Sequence, residues 1–305
     1  MEITVIRPAT EAFPEDIDRI QHVGRVYQSF PGSEYVLPSD GPERDRLALQ
    51  HRLLAGTFEN RIMMPEISFE AGDRILDSGC GSGVWLLDAI NQVPNAVVLE
   101  GIDIESRLFP MDSKLIATRG NMNFSIGTIT KLPSEWTATF TLVHQRLLIA
   151  ALRAEEWGQA IKEMMRVLVP GGWVQLGEAG AWQAGKTTEK HRSLVDKLFV
   201  KRGLLLDCSD RIPSMLRAAG FSNVHIDKRP ISLGSWAGEV GIEARENFMG
   251  VFRGMKSPVL NAGGLGYVNT EEEWESLLDA VEEEWDNTEG AEMSFFIFYA
   301  QKPLF

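Results

Sequence analysis

The feature that most constrains this chain is Asp77-Ser78-Gly79-Cys80-Gly81-Ser82-Gly83, set between the apolar pair Ile75-Leu76 and an apolar-periodic segment at 84–93. The first flank reads as a short strand and the second as a helix, with Trp85, Leu86, Ala89, Ile90 and Val93 on one stripe. Missing β-carbons let the backbone between them turn sharply and approach a ligand closely. The glycines recur at every second position after an acid, unlike the G-x-G-x-x-G of dinucleotide binders, and no phosphate-binding lysine follows. Such a loop suits a zwitterionic amino-acid group better than a polyphosphate.

The strand–loop–helix unit extends into an alternating pattern. Residues 96–103, 123–126, 140–143 and 172–176 read as buried strands separated by helical or loop segments, including a helix at 155–168. That alternation predicts a parallel sheet covered on both faces. Further on, 191–206 and 209–219 read as helices, 223–231 as a strand, and Thr270-x-x-Glu273 as a capping box opening a helix. The apolar run 293–300 is a last strand that can lie antiparallel. The expected class is therefore α/β, a Rossmann-like doubly wound seven-stranded sheet with an antiparallel last strand. Residues 1–65, including a helix at 42–63, form an N-terminal cap of helices and loops; 66–232 with 270–305 form the core; the glycine-rich 233–269 is an insertion acting as a substrate lid.

Composition narrows the partners. A formal charge of −13 opposes binding to nucleic acid, whose affinity comes from cationic side chains on phosphates. No apolar run approaches the roughly 18 residues that cross a bilayer, and the opening 1–19 has no apolar signal core, so the expected compartment is the cytoplasm, without a membrane partner. Cys80 and Cys208 make neither a disulfide framework nor a zinc site, and the histidines lack ligand spacing, so no metal is expected. A small, neutral or apolar molecule fits best, and a homodimer is left open.

Asp103 ends the second strand, where an acid in this kind of fold accepts both hydroxyls of a ribose. The glycine loop, Asp103 and Leu168-Val169-Pro170-Gly171-Gly172-Trp173 together resemble class I S-adenosylmethionine methyltransferases. Leu37-Pro38-x-Asp40, Glu43-x-x-Arg46-Leu47 with Gln50-His51, Gly83-x-Trp85 and Val143-His144-x-Arg146 are similar to fungal small-molecule methyltransferases of the LaeA-like group. The resemblance spans about residues 25–180. It implies S-adenosyl-L-methionine as cofactor, with Asp77, Gly79, Cys80, Gly81 and Gly83 around its methionine part. It further implies Asp103 on the ribose, with Ile104, Thr128 and Ile129 at the adenine. Thr128 stands where the family often has an acid.

Ligands of open α/β sheets sit outside the carboxyl ends of the strands, so His144, Gln145 and Glu178 should border the methyl group. His144 is a candidate base for a hydroxyl proton, the bland alternative being that it orients the loop or touches cofactor; Glu178 has similar standing. Tyr27, Tyr35, Trp182, Trp236, Phe248 and Phe252 are candidates for an apolar acceptor pocket, or else ordinary packing aromatics. The implied function is methyl transfer to a small apolar or aromatic secondary metabolite, with oxygen the preferred acceptor atom. The rival classes are a regulator acting through protein partners and a cofactor-bound enzyme catalysing elimination or cyclisation. The acidic charge and aromatic-bearing insertion favour an enzyme over the regulator, while fold and cofactor do not fix the reaction and leave elimination or cyclisation open.

Overall fold

The computed structural model describes residues 21–22, 24–28 and 30–305; the opening 1–19 lies outside them. Seven strands, β1 (Arg74–Ser78), β2 (Val98–Asp103), β3 (Met122–Ile126), β4 (Phe140–Arg146), β5 (Leu168–Gln183), β6 (Ser222–Ser232) and β7 (Glu292–Gln301), form one sheet in the order β3-β2-β1-β4-β5-β7-β6. The first five run parallel, and β7 lies antiparallel between β5 and β6. This is the expected doubly wound, Rossmann-like sheet.

The helices are α1 (Gly41–Thr57), α2 (Val84–Ala89), α3 (Lys114–Arg119), α4 (Ala154–Val167), α5 (Lys186–Arg202), α6 (Cys208–Ala218), α7 (Gly238–Gly254), α8 (Lys256–Asn261) and α9 (Glu271–Asp286). Neighbouring strand residues point to opposite faces, so a strand covered on both sides is apolar at consecutive positions. Ile75 and Leu76 are both fully buried, the first in the cluster that holds Trp85, Leu86 and Ile116 and the second in the one that holds Trp157, Ile161 and Ile212. In α4 the buried stripe Trp157, Ala160, Ile161, Met164 and Val167 follows helical spacing. Each large side chain buried in this way contributes about 1.5–3 kcal/mol relative to exposure. Among the described residues no helix is long and apolar enough to cross a membrane.

Two expectations need correction. The first helix ends at Thr57 rather than at residue 63, because Glu59 and Asn60 adopt left-handed φ values of 53° and 62° and turn the chain away. The glycine-rich 233–269 is largely helical and contributes to the core: α7 buries Ala244, Phe248, Met249 and Phe252 in the cluster that also holds residues of α1, α5 and α9. Its glycines allow close approach, since a β-carbon on Gly250 would come within 3.0 Å of Arg46 and one on Gly254 within 3.0 Å of Pro38.

All parallel strands end at the same edge of the sheet. The β1 loop, the ends of β2 and β4, and the segments after them therefore converge there.

Candidate active site

The loop after β1 is bent by its own backbone. The N–H groups of Gly79 and Cys80 both donate to the carbonyl of Ile102 on β2, at 2.8 and 3.0 Å, and Gly83 N–H donates to Cys80 at 2.8 Å. Gly79, Gly81 and Gly83 have φ values of +76°, +53° and +68°, which explains glycine at alternate positions: side-chain-bearing residues rarely adopt this left-handed region. A β-carbon on Gly79 would also stand 3.0 Å from Leu148, and one on Gly83 only 2.7 Å from the Phe124 ring.

Asp103 joins this loop directly. One carboxylate oxygen accepts the Gly81 N–H at 2.8 Å and the other the Glu105 N–H at 3.0 Å. Burial outweighs these bonds and pushes the Asp103 carboxyl up to about 6. Asp77 is 3% exposed, and its Oδ1 lies 2.7 Å from Nδ1 of His144.

Between these groups lies a cavity of about 280 Å3. Asp77, Gly79, Cys80, Gly81, Asp103, Ile104, Thr128 and Ile129, all expected at a cofactor, line it together. Gly83 does not; it precedes α2 and packs behind the loop against Phe124. The Thr128 hydroxyl is turned into its own bend, 2.8 Å from that of Thr130.

His144 and Gln145 are not among the lining residues, correcting the expectation that both border the reacting group. The His144 ring stacks on Trp85 with centroids 3.8 Å apart and planes 2° from parallel, and it faces a second, smaller cavity. Burial holds its pKa below the ordinary histidine value despite the favourable neighbour Asp77. Gln145 is buried with neither amide atom hydrogen-bonded. Glu178 is also outside the cavity, but its carboxyl accepts the backbone N–H of Leu148 at 2.8 Å and of Ile149 at 3.3 Å. It therefore fixes a wall that Leu147, Leu148, Ala151 and Leu152 present to the cavity.

Of the aromatics proposed for an acceptor pocket, only Tyr35 lines the cavity. Tyr27 donates its hydroxyl to the Gly254 carbonyl at 2.9 Å, and Trp182, Phe248 and Phe252 are buried in the α1/α5/α7/α9 core. Trp236 is 37% exposed and donates its indole N–H to Leu233. No described residue of 233–269 lines the cavity, so its outer wall is not the expected lid. That wall comes instead from Gln28, Phe30, Pro31, Gly32, Ser33 and Tyr35, with Leu47 and Gln50 of α1. Most of these residues carry no signal of a site in the sequence, although Leu47 and Gln50, like the lining residue Arg146, stand inside motifs of the family resemblance.

The donor set fits a nucleoside carrying an amino-acid arm. Bare backbone at Gly79 and Gly81 admits close approach, Asp103 has lone pairs for hydroxyl donors, and Ile104, Leu108 and Ile129 are apolar surfaces for a flat base.

A family profile described as a methyltransferase domain matches residues 75–172. The chain is 30% identical over 273 residues to N-methyltransferase tcpN of Claviceps purpurea, covering 85% of this chain and 94% of that protein. It is 28% identical over 276 residues to N-methyltransferase verN of Clonostachys rogersoniana, covering 88% and 93%. Among solved structures it is similar to phosphoethanolamine N-methyltransferase 2 of Haemonchus contortus, with TM-score 0.48 and 17% identity; the match covers 85% of this chain and about half, 52%, of that one.

Proposed function

The chain belongs to the class I S-adenosylmethionine-dependent methyltransferases, and from that premise we propose that it methylates a nitrogen of a small, largely apolar metabolite. The acceptor occupies the cavity between the glycine loop and the wall of residues 28 and 30–35. The observation that carries nitrogen, in place of the oxygen expected from sequence, is the near-full-length similarity to tcpN and verN, both named N-methyltransferases.

S-Adenosyl-L-methionine, when bound, supplies an electrophilic methyl group on a sulfonium centre. The residues of this chain act by holding and orienting. Asp103 and the β1 loop hold the nucleoside and its arm, while Phe30, Pro31 and Tyr35 offer an apolar wall to the acceptor. Two further acids that line the cavity are already committed: Glu105 pairs with Arg107, and Glu156 accepts the Arg153 backbone N–H at 2.8 Å and pairs with its guanidinium. His144 is tied to Asp77 and stacked on Trp85. This arrangement supports catalysis by alignment, with the acceptor entering as a neutral nitrogen whose lone pair is free; alignment of this kind can supply several kcal/mol of the barrier.

The test is incubation of the full chain with methyl-labelled cofactor and matched pairs of small aromatic compounds carrying either an amine or a hydroxyl. Label on the amines, with release of S-adenosylhomocysteine, is expected. Label on hydroxyls alone would refute nitrogen as the acceptor, and cofactor turnover without label in any product would refute methyl transfer.

A further inference from the structure

We propose that Gln50 positions the methyl acceptor: its side-chain carbonyl accepts an N–H of the nitrogen to be methylated, so the acceptor is an uncharged nitrogen that still carries a hydrogen. This inference rests on the reading of the cavity as the place where an amine meets the cofactor, and it names the residue that orients that amine.

Gln50 lies on α1 and lines the cavity from its outer wall. Leu47, one turn before it on the same helical face, comes within 3.7 Å of the point that a β-carbon on Gly81 would occupy, so this face looks across the cavity at the glycine loop. Gln50 is only 5% exposed, and among the described residues its amide makes no hydrogen bond, although it has a carbonyl to accept and an NH2 to donate. Its amide atoms are not sealed in the core; they open on the cavity. Side chains buried to this degree are nearly always paired, so a polar end left open at a cavity edge is a group kept for a ligand. The other amide on that wall, Gln28, is already used, its carbonyl accepting the Phe30 N–H at 2.6 Å. The Tyr35 hydroxyl is a second unpartnered group there, but it feels the charges of Glu43, Arg46 and Asp103 and so sits toward the sugar end.

The kind of side chain selects the kind of ligand. An amide is neutral, so it adds no charge attraction for the cofactor's ionic arm and suits an uncharged molecule. A carboxylate in its place would hold the protonated amine and keep the lone pair occupied. The amide carbonyl takes the N–H instead and leaves the lone pair free, and a hydrogen bond on one side of the nitrogen fixes the direction in which that pair points, as alignment requires. A hydroxyl making the same contact would turn its proton toward the carbonyl, and an amide is no base to remove it. A tertiary nitrogen has no hydrogen to offer, so methylation stops once the last N–H has been replaced.

The experiment is calorimetric titration of the full chain saturated with S-adenosylhomocysteine, native and Gln50→Leu, with aniline, N-methylaniline and N,N-dimethylaniline, all uncharged at neutral pH. The preference for the two N–H compounds over the dimethyl compound is expected to be about 2- to 10-fold greater in the native chain, the worth of one neutral hydrogen bond, with affinity for S-adenosylhomocysteine alike in both. Gln50→Glu adds a readout of charge: benzylamine, an ammonium ion at neutral pH, should bind this variant more tightly than the native chain. Equal preferences in the native chain and Gln50→Leu overturn the assignment. A fall in S-adenosylhomocysteine affinity in Gln50→Leu would give the residue to the cofactor and overturn it as well, as would a Gln50→Glu chain that binds benzylamine no better than the native one. Failure of all three anilines to bind the native chain would instead remove the reading of an amine acceptor in this cavity.

Discussion

Glu178 and Leu148 are joined by a 2.8 Å hydrogen bond in which the Leu148 backbone N–H donates to the buried carboxyl. Leu148 in turn occupies the space that a β-carbon on Gly79 would need. A residue expected to act in chemistry from the end of β5 is thus a support for the wall facing the glycine loop. Replacing it by alanine leaves two N–H groups without their acceptor, at about 1–3 kcal/mol each if they stay dry. Glu178→Ala should raise the KM for cofactor about tenfold or more with a smaller effect on kcat, while Glu178→Gln, which keeps an acceptor oxygen, should recover most of the loss. An equal fall in kcat at unchanged KM would argue for a role in the chemical step.

The same carboxyl makes a pH prediction. Burial pushes Glu178 from its ordinary 4.5 to about 8. The folded state therefore prefers the protonated form, so this stabilisation is complete below about 4.5 and is lost as pH rises through 8. Melting temperature measured across that window should fall more in the native chain than in Glu178→Gln. Parallel profiles would contradict it.

Asp103 should make cofactor affinity acid-sensitive. Its carboxylate can accept two ribose hydroxyls only when ionised, and burial sets its pKa at about 6. Affinity for S-adenosylhomocysteine should therefore weaken as pH falls below that value, and Asp103→Asn should bind weakly at every pH. Calorimetry across the range checks both; a flat profile in the native chain would separate Asp103 from the sugar.

His191 on α5 lies among Trp182, Phe252 and Trp274, with ring centroids 5.9, 4.4 and 6.2 Å away, and neither ring nitrogen has a partner. Burial lowers its pKa from 6.5 to about 3. Its neutral form is the folded one, so stability is retained above 6.5 and lost as pH falls toward 3, at about 1.4 kcal/mol for every tenfold difference in proton affinity between the folded and unfolded chain. His191→Phe should match or exceed the native melting temperature at neutral pH and lose less of it on acidification. Equal acid losses would place the sensitivity elsewhere.

Gly83→Ala should destabilise the fold rather than remove a cofactor contact, because the added methyl meets Phe124 at 2.7 Å in a left-handed backbone. A loss of about 1–3 kcal/mol is expected, read as a shift in denaturant midpoint. Cofactor affinity of the surviving folded protein should change little.

What could be read from the chain alone follows from which interactions are local. The glycine alternation, Asp103 at a strand end and the two-sided burial of β1 all leave marks within a few residues, and the structure joins Gly81 to Asp103 by a hydrogen bond. His144 is legible as a strand-end residue but not as one stacked on Trp85, since the facing of a β4 side chain depends on its pairing with β1. Residues 28–35 carry no periodicity, and only Tyr35 stands out there. The aromatic residues of α7 are visible in the chain, but not that glycines let their helix settle against Arg46 and Pro38.

The seating of β7 between β5 and β6 orders events during synthesis. While the ribosome is still making residues 233–291, β5 and β6 exist without the strand that separates them. Until then β5 lacks its outer neighbour and β6, whose only strand partner among the described residues is β7, is bare along both edges. This side of the sheet is completed only when 292–301 insert, so a chain lacking them leaves bare the kind of strand edge on which mispairing starts.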